Sequence, residues 1–256
     1  MDIGILLFLS GILAGSMNAM AGGGSFVTFP ALLSVGISPV VANASNTVAL
    51  LPGSLAGAWQ YREYASNLQG ISLTKMVMLT LAGGGIGALL LLYTPPSKFT
   101  IFIPWLLLLS SLTFAFGRRL GNYIRKTRRI SPATVITGQF LLGIYGGYFG
   151  GAVGIMMMAV WNIFGMTDIK QVNANKNLLV AAANAVAAIL FIIAGKIAWY
   201  ETAILIVATV LGGYAGGYYS KRINAALLRN IIIAFNFIIT ALFFVKTYLL
   251  SVSQAS

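Results

Sequence analysis

Lys176 stands in the run VNANKNLLVAAANAV, close to long apolar sequence. An ionisable side chain inside a membrane-length apolar segment is costly and marks function by default. Its positive charge suits an anionic ligand. Asn173 and Asn177 flank it, and an earlier run, VVANASNTVAL, carries Asn43, Ser45 and Asn46. Amide and hydroxyl groups donate hydrogen bonds to an oxyanion without adding charge. One cation and several neutral donors are thus the makings of a site for a small anionic substrate. Two plainer readings stand beside this one. Lys176, with Lys170 nearby, would reach the interface from a helix start, and the asparagines would hydrogen bond between helices. Asn18, Asn162 and Asn184 are weaker candidates of the same type.

Other chemistries are excluded. The chain has no Cys and no His, which removes thiolate and imidazole catalysis, disulfides and most transition-metal sites. Asp2, Glu63, Asp168 and Glu201 are the only acids, each at a segment end or in a loop without a partner carboxylate. A two-carboxylate active site or a carboxylate metal cage does not follow from them. No enzyme activity, metal or cofactor is expected.

The elements that would position these residues are broken hydrophobic segments. Ile3 to Gly36 is interrupted around Gly22, Gly23 and Gly24, and Ala133 to Phe164 around Gly150, Gly151 and Gly154. As single helices each would approach about 50 Å, against a hydrocarbon core of about 30 Å. Each is therefore expected to turn back as one span and a short partial helix. The freed backbone groups are tolerated only in protein or beside a polar cavity. Helix N-termini just past the glycines, near Ser25 and Ile155, would offer unpaired N–H groups to an anion.

The rest of the chain fits a multi-pass membrane protein. Of 256 residues, 59% are hydrophobic and 8% charged, too little charge to cover a water-facing surface. Eight long apolar segments are expected, plus two short broken or re-entrant helices, in an all-α fold. The net charge of +12 does not point to nucleic acid, because the basic residues gather in short loops as on the cytoplasmic side of a membrane. The main cluster, Arg118 to Arg129, lies in an expected linker over 118–130. Residues 1–117 and 131–250 read as two copies of one unit, with 251–256 a tail. Gly11 matches Gly143, Gly15 matches Gly147, the asparagine runs follow in the same order, and AGGGIGA answers LGGYAGG. Placing the basic linker and the cluster Lys221, Arg222 and Arg229 on one side makes the two units oppositely oriented, a recurrent transporter plan. Trp59 and Trp199, at segment ends, read as interfacial anchors.

In its motifs the chain resembles the TauE/SafE sulfite exporter family. The residues that carry the resemblance are AGGGSFVTFPAL from Ala21, ANASNTVALLPGSLAG from Ala42, GIYGGYFGGAVGIMMM from Gly143 and NANKNLL from Asn173. Ser45 departs from the threonine expected there, and Ala152 and Val153 from a run that usually holds another glycine. The resemblance implies residence in a bacterial cytoplasmic membrane. It also implies export, in some members import, of sulfite, thiosulfate or an organosulfonate. An anion channel or a membrane component without a transport cycle is the rival reading.

Overall fold

A computed structural model describes residues 2–20, 23–68, 70–127, 131–151, 153–166, 168–220 and 225–250. They form ten α-helices: α1 (Ile3–Met20), α2 (Ser25–Ser34), α3 (Pro39–Gln60), α4 (Leu73–Tyr93), α5 (Pro96–Thr127), α6 (Pro132–Tyr148), α7 (Val153–Ile163), α8 (Ile169–Ile193), α9 (Trp199–Ser220) and α10 (Ala225–Phe244). A 3-10 turn, Arg62–Tyr64, follows α3, and a π-helical turn, Val245–Leu250, ends α10. By length and composition, Leu73–Tyr93, Pro96–Gly117 and Lys170–Ile193 are each long and apolar enough to cross a membrane. The α3 helix carries Asn43, Ser45, Asn46, Thr47 and Ser54, all buried, so its polar groups face protein.

Local sequence sets the boundaries. Pro39 and Pro132 open α3 and α6 at a position where no helical N–H is needed. Ser72, Ser131 and Asp168 cap α4, α6 and α8 by accepting a backbone N–H. Thus Asp168 closes a helix end, as an acid at a segment terminus should. Positive φ occurs at Gly23, Gly36, Gly70, Gly150, Gly165 and Gly195. These six fall at three places in each series of five helices: in the break before α2 and α7, after α2 and α7, and ahead of α4 and α9. The segment Ala133 to Phe164 is divided at its glycines into two helices, as expected. One feature differs from the sequence expectation: most of the expected linker is helical, because α5 runs on to Thr127. Basic residues in its last turns suit the negative end of the helix dipole. Residues 128–130, with Arg128 and Arg129, lie outside the described residues, as do Lys221 and Arg222.

The two most extensive helix pairings are α1 with α9 and α4 with α6. The first five helices are therefore laced into the last five instead of standing as a separate domain. Glycines make both crossings close. A Cβ at Gly15 would lie 2.1 Å from the Thr209 carbonyl oxygen, one at Gly212 2.1 Å from that of Ile12, one at Gly87 2.1 Å from that of Ile144, and one at Gly147 1.9 Å from that of Gly84. Small residues four apart let membrane helices approach in this way. The contacts also fix direction. Gly11, Gly15 and Ser16 meet Ala208, Thr209 and Gly216 in rising order, so α1 and α9 run the same way. Gly83 and Gly87 meet Phe140 and Ile144, so α4 and α6 do too.

Candidate functional site

Both helix breaks open onto one buried pocket. It is lined by Asn18 of α1, Gly23 and Ser25 at the first break, Gly150, Val153 and Gly154 at the second, Leu50 and Ser54 of α3, and Lys176, Asn177, Val180 and Asn184 of α8. The breaks touch: a Cβ on Gly23 would lie 2.8 Å from the Ile155 side chain in the first turn of α7. The pocket holds about 30 Å³, room for about two waters. Its α8 wall is a single stripe, since residues 176, 180 and 184 follow one another at helical spacing. Residues 50 and 54 do the same on α3.

Lys176 is 6% exposed and sits two turns inside α8. Its stem lies along Gly154, where a Cβ would come within 3.4 Å of Cδ. The plain reading, a lysine extending to the interface from a helix start, does not hold. Lys170 takes that part instead, lying exposed with its ammonium 5.0 Å from the Tyr64 ring centre. The amide oxygen of Asn184 is buried without a hydrogen-bond partner in the pocket wall. An unpaired buried acceptor is costly, and a water or a ligand donor would relieve it.

The pocket leads into a larger cavity of about 540 Å³, which shares Asn18, Leu50, Ser54 and Asn177 with it. The larger wall runs down α3 through Pro52, Gly53 and Gly57 to Gln60 and Tyr61, and along α9 from Thr209 to Tyr214. Exposure rises along α3 from Ser54, buried, to Gln60, exposed, so the cavity opens at the end of the bundle that carries Arg62. Asn177 stands where the two spaces meet, packed so closely on Gly57 that a Cβ there would lie 2.7 Å from its amide nitrogen. On the other side of the breaks, aromatic rings fill the interior. Phe149 lies edge-on to Phe29 at 5.7 Å and to Phe99 at 6.3 Å, and Phe29 stacks on Phe243 at 6.1 Å.

The expected site residues divide into two sets. Lys176, Asn177, Gly23, Ser25 and Gly154 line the pocket. The others do not line it. Asn43 donates to the Tyr148 carbonyl at 3.1 Å, holding the last turn of α6 before the second break. Asn46 accepts from the Thr28 hydroxyl, tying α3 to α2. Ser45 points away and accepts the Ala198 N–H at 2.9 Å ahead of α9. Gly24 packs on α1, where a Cβ would meet the Ala14 carbonyl oxygen at 2.5 Å. The Gly151 carbonyl accepts from the Tyr145 hydroxyl at 3.0 Å. Asn173 is half-buried on α8, outside the pocket wall. Of the weaker candidates, Asn18 and Asn184 line the pocket, while Asn162 bonds the Met158 carbonyl within α7. Leu50, Ser54 and Val180 were not singled out in the sequence, though counting turns from Asn46 and Lys176 leads to them. The neighbouring Asn175 is structural. It bonds the backbone of Ser66 through both amide atoms, at 2.8 and 3.1 Å.

Over residues 7–243 the sequence matches the sulfite exporter TauE/SafE family. The chain belongs to that family. Among similar proteins, a "Probable membrane transporter protein" of Haemophilus influenzae is 29% identical over 247 residues, covering 94% of this chain and 96% of that protein. "Probable membrane transporter protein YfcA" of Escherichia coli K12 is 29% identical over 241 residues, covering 93% and 88%. "Probable membrane transporter protein ORF9" of a Sinorhizobium species is 26% identical over 228 residues, covering 89% and 87%. No solved structure matches. The family and the apolar helices make this chain a multi-pass membrane protein of a transporter family, not an enzyme.

Proposed function

We propose that the chain is a secondary transporter of a small sulfur-containing anion, such as sulfite, thiosulfate or an organosulfonate, in a bacterial cytoplasmic membrane. The observation that carries this reading is the convergence of two helix breaks and one buried lysine on a single pocket with an open approach. The starts of α2 and α7 border the space, where the positive end of a helix dipole favours an anion, and the lysine adds one charge. The family description favours a sulfur oxyanion.

Two inverted copies, 1–117 and 131–250, work by alternating access in this reading. The three pairs of positive-φ glycines support it, as do the exchanged pairings of α1 with α9 and α6 with α4. Helix directions agree. The N-terminal part of α3 adjoins the start of α9 through Ser45 and Ala198, while α8 begins beside the end of α3 through Asn175 and Ser66. Hence α1, α3 and α9 run against α4, α6 and α8. The same directions put Arg62, Lys75, Lys170 and the basic end of α5 at one end of the bundle, with Lys98 and Lys196 at the other. That basic end is cytoplasmic by the positive-inside rule, and the open cavity faces it. Asn43 and Asn46 occupy on α3 the places that Asn173 and Lys176 occupy on α8, and in this scheme they line the pocket once it opens to the opposite side.

Reconstituted protein tests this. Sulfite, thiosulfate, sulfoacetate and taurine are offered to proteoliposomes, and at least one is expected to show saturable uptake and counterflow. The Lys176→Ala, Asn46→Ala double variant is expected to lose both. Flux linear in concentration without counterflow would assign a channel instead, and unchanged binding in the double variant would remove the site.

A further inference from the structure

Among the described residues, Lys176 faces no opposite charge. The elements packed against α8 are α3, α4, α6, α7 and the 3-10 turn. Neither α3 nor α7 contains a titratable residue, and the pocket-lining α1 and α2 contain none either. From α6 come only Tyr145 and Tyr148, and from α4 only Lys75 in its exposed first turn and Tyr93 at its far end. The 3-10 turn offers Arg62, Glu63 and Tyr64, all exposed. On α8 itself, Asp168 and Lys170 lie exposed at the start. The lysine thus stands in a pocket of amides, two hydroxyls, glycines and a few apolar side chains, with an anion the natural counter-charge. When the anion leaves, an ammonium remains with nothing to balance it, and a transporter must then pass through a state shut to both sides. An unpaired charge is costly in such a state. A lysine, unlike an arginine, escapes the cost by releasing its proton.

We propose that Lys176 is the coupling residue and that one proton travels with each anion. The proposal rests on the transporter reading above. The ammonium and the anion cross together. After release, the ammonium gives its proton to water on the same side, the neutral amine returns, and it takes a proton from water on the loading side. Net direction follows the combined gradients, so a cell that has accumulated the anion exports it together with a proton.

The test uses whole protein in proteoliposomes with the membrane potential clamped at zero. Thiosulfate and isethionate serve as probes, because their charge is fixed across the physiological pH range. Without a pH gradient, wild type is expected to show counterflow of at least one probe. Absence of counterflow for both removes the transporter reading, and the coupling with it. With the outside acidified, wild type is expected to accumulate the transported probe about tenfold per pH unit. Counterflow without accumulation overturns the coupling and leaves the transporter reading standing. Lys176→Arg is expected to lose pH-driven accumulation, and accumulation equal to wild type assigns the proton elsewhere and overturns the proposal. If Lys176→Arg loses counterflow as well, detergent-solubilised wild type decides. Adding the transported probe in weakly buffered alkaline solution is expected to draw a proton from the medium, read with a pH dye. No uptake overturns the proposal.

Discussion

The α4–α6 crossing offers a comparison in which one chemical change has opposite signs two residues apart. Gly85 and Gly87 both lie inside α4 with ordinary helical backbone. A Cβ at Gly85 would find its nearest neighbour, the Val186 side chain, at 3.7 Å, whereas at Gly87 it would lie 2.1 Å from the Ile144 carbonyl oxygen and 2.7 Å from the Tyr148 nitrogen. A comfortable carbon–oxygen contact begins near 3.3 Å, so Gly87→Ala must move two backbones apart by about 1 Å. No rotamer change relieves it, since the obstructing atoms belong to the main chain. Overpacking of this kind costs about 1–3 kcal/mol, and backbone contact puts it at the upper end. Alanine recovers about 1 kcal/mol of helix propensity at either position. Gly87→Ala is therefore expected to lose about 2 kcal/mol and Gly85→Ala to gain up to about 1. At roughly 2–4 °C per kcal/mol for a chain near this size, the first lowers the apparent melting midpoint by roughly 4–8 °C and the second leaves or raises it. Monodispersity on size exclusion after heating in detergent measures both. Midpoints that shift together, or an unmoved Gly87→Ala, would refute the close-crossing argument.

Three further outcomes follow from the site. Asn175→Ala removes two hydrogen bonds to Ser66 and is expected to lower stability by about 2 kcal/mol, with half-saturation for the transported anion unchanged. A shift in half-saturation would place Asn175 in the site. Gly57→Ala presses on a side chain that can yield, so the fold should persist while Asn177 is displaced from the junction of the two cavities. Transport efficiency should fall by about tenfold, equivalent to about 1.4 kcal/mol, and an unchanged efficiency would remove Asn177 from the path. Because the chain has no native cysteine, Ser54→Cys and Thr28→Cys can be probed alone. An impermeant thiol reagent applied from the Arg62 end should label the first and spare the second, and equal labelling would contradict the one-sided opening.

The broken segments were legible because a length argument needs only the sequence. So was Lys176, since one charge in an apolar run stands out whatever the fold. The glycine register was not. In the two-copy reading proposed above, the sequence match sets Gly11 against Gly143, whereas the packing pairs Gly15 with Gly143: the former packs on Thr209, the latter on Thr80, each on the helix it crosses. Glycines at every fourth position look alike after a slip of one turn, and only the partner helix distinguishes the two registers. The asparagines were legible as a group but not in their separate parts. Asn43, Asn46 and Asn175 brace the helices while Asn177 and Asn184 face the cavity. Which part each takes depends on neighbours from distant sequence. The wide cavity gave no local signal at all, because its wall is assembled from α1, α3, α8 and α9.

The pairing of α1 with α9 bears on how the protein is made. The glycine face of α1 meets its partner only after nearly the whole chain has been synthesised. At about 5–20 residues per second, the first helix waits in the bilayer for roughly ten to forty seconds with that face against lipid or a helper protein. The α4 and α6 helices, close in sequence, find each other much sooner. Assembly is thereby ordered in time: one crossing forms during translation, and the other closes the molecule at the end.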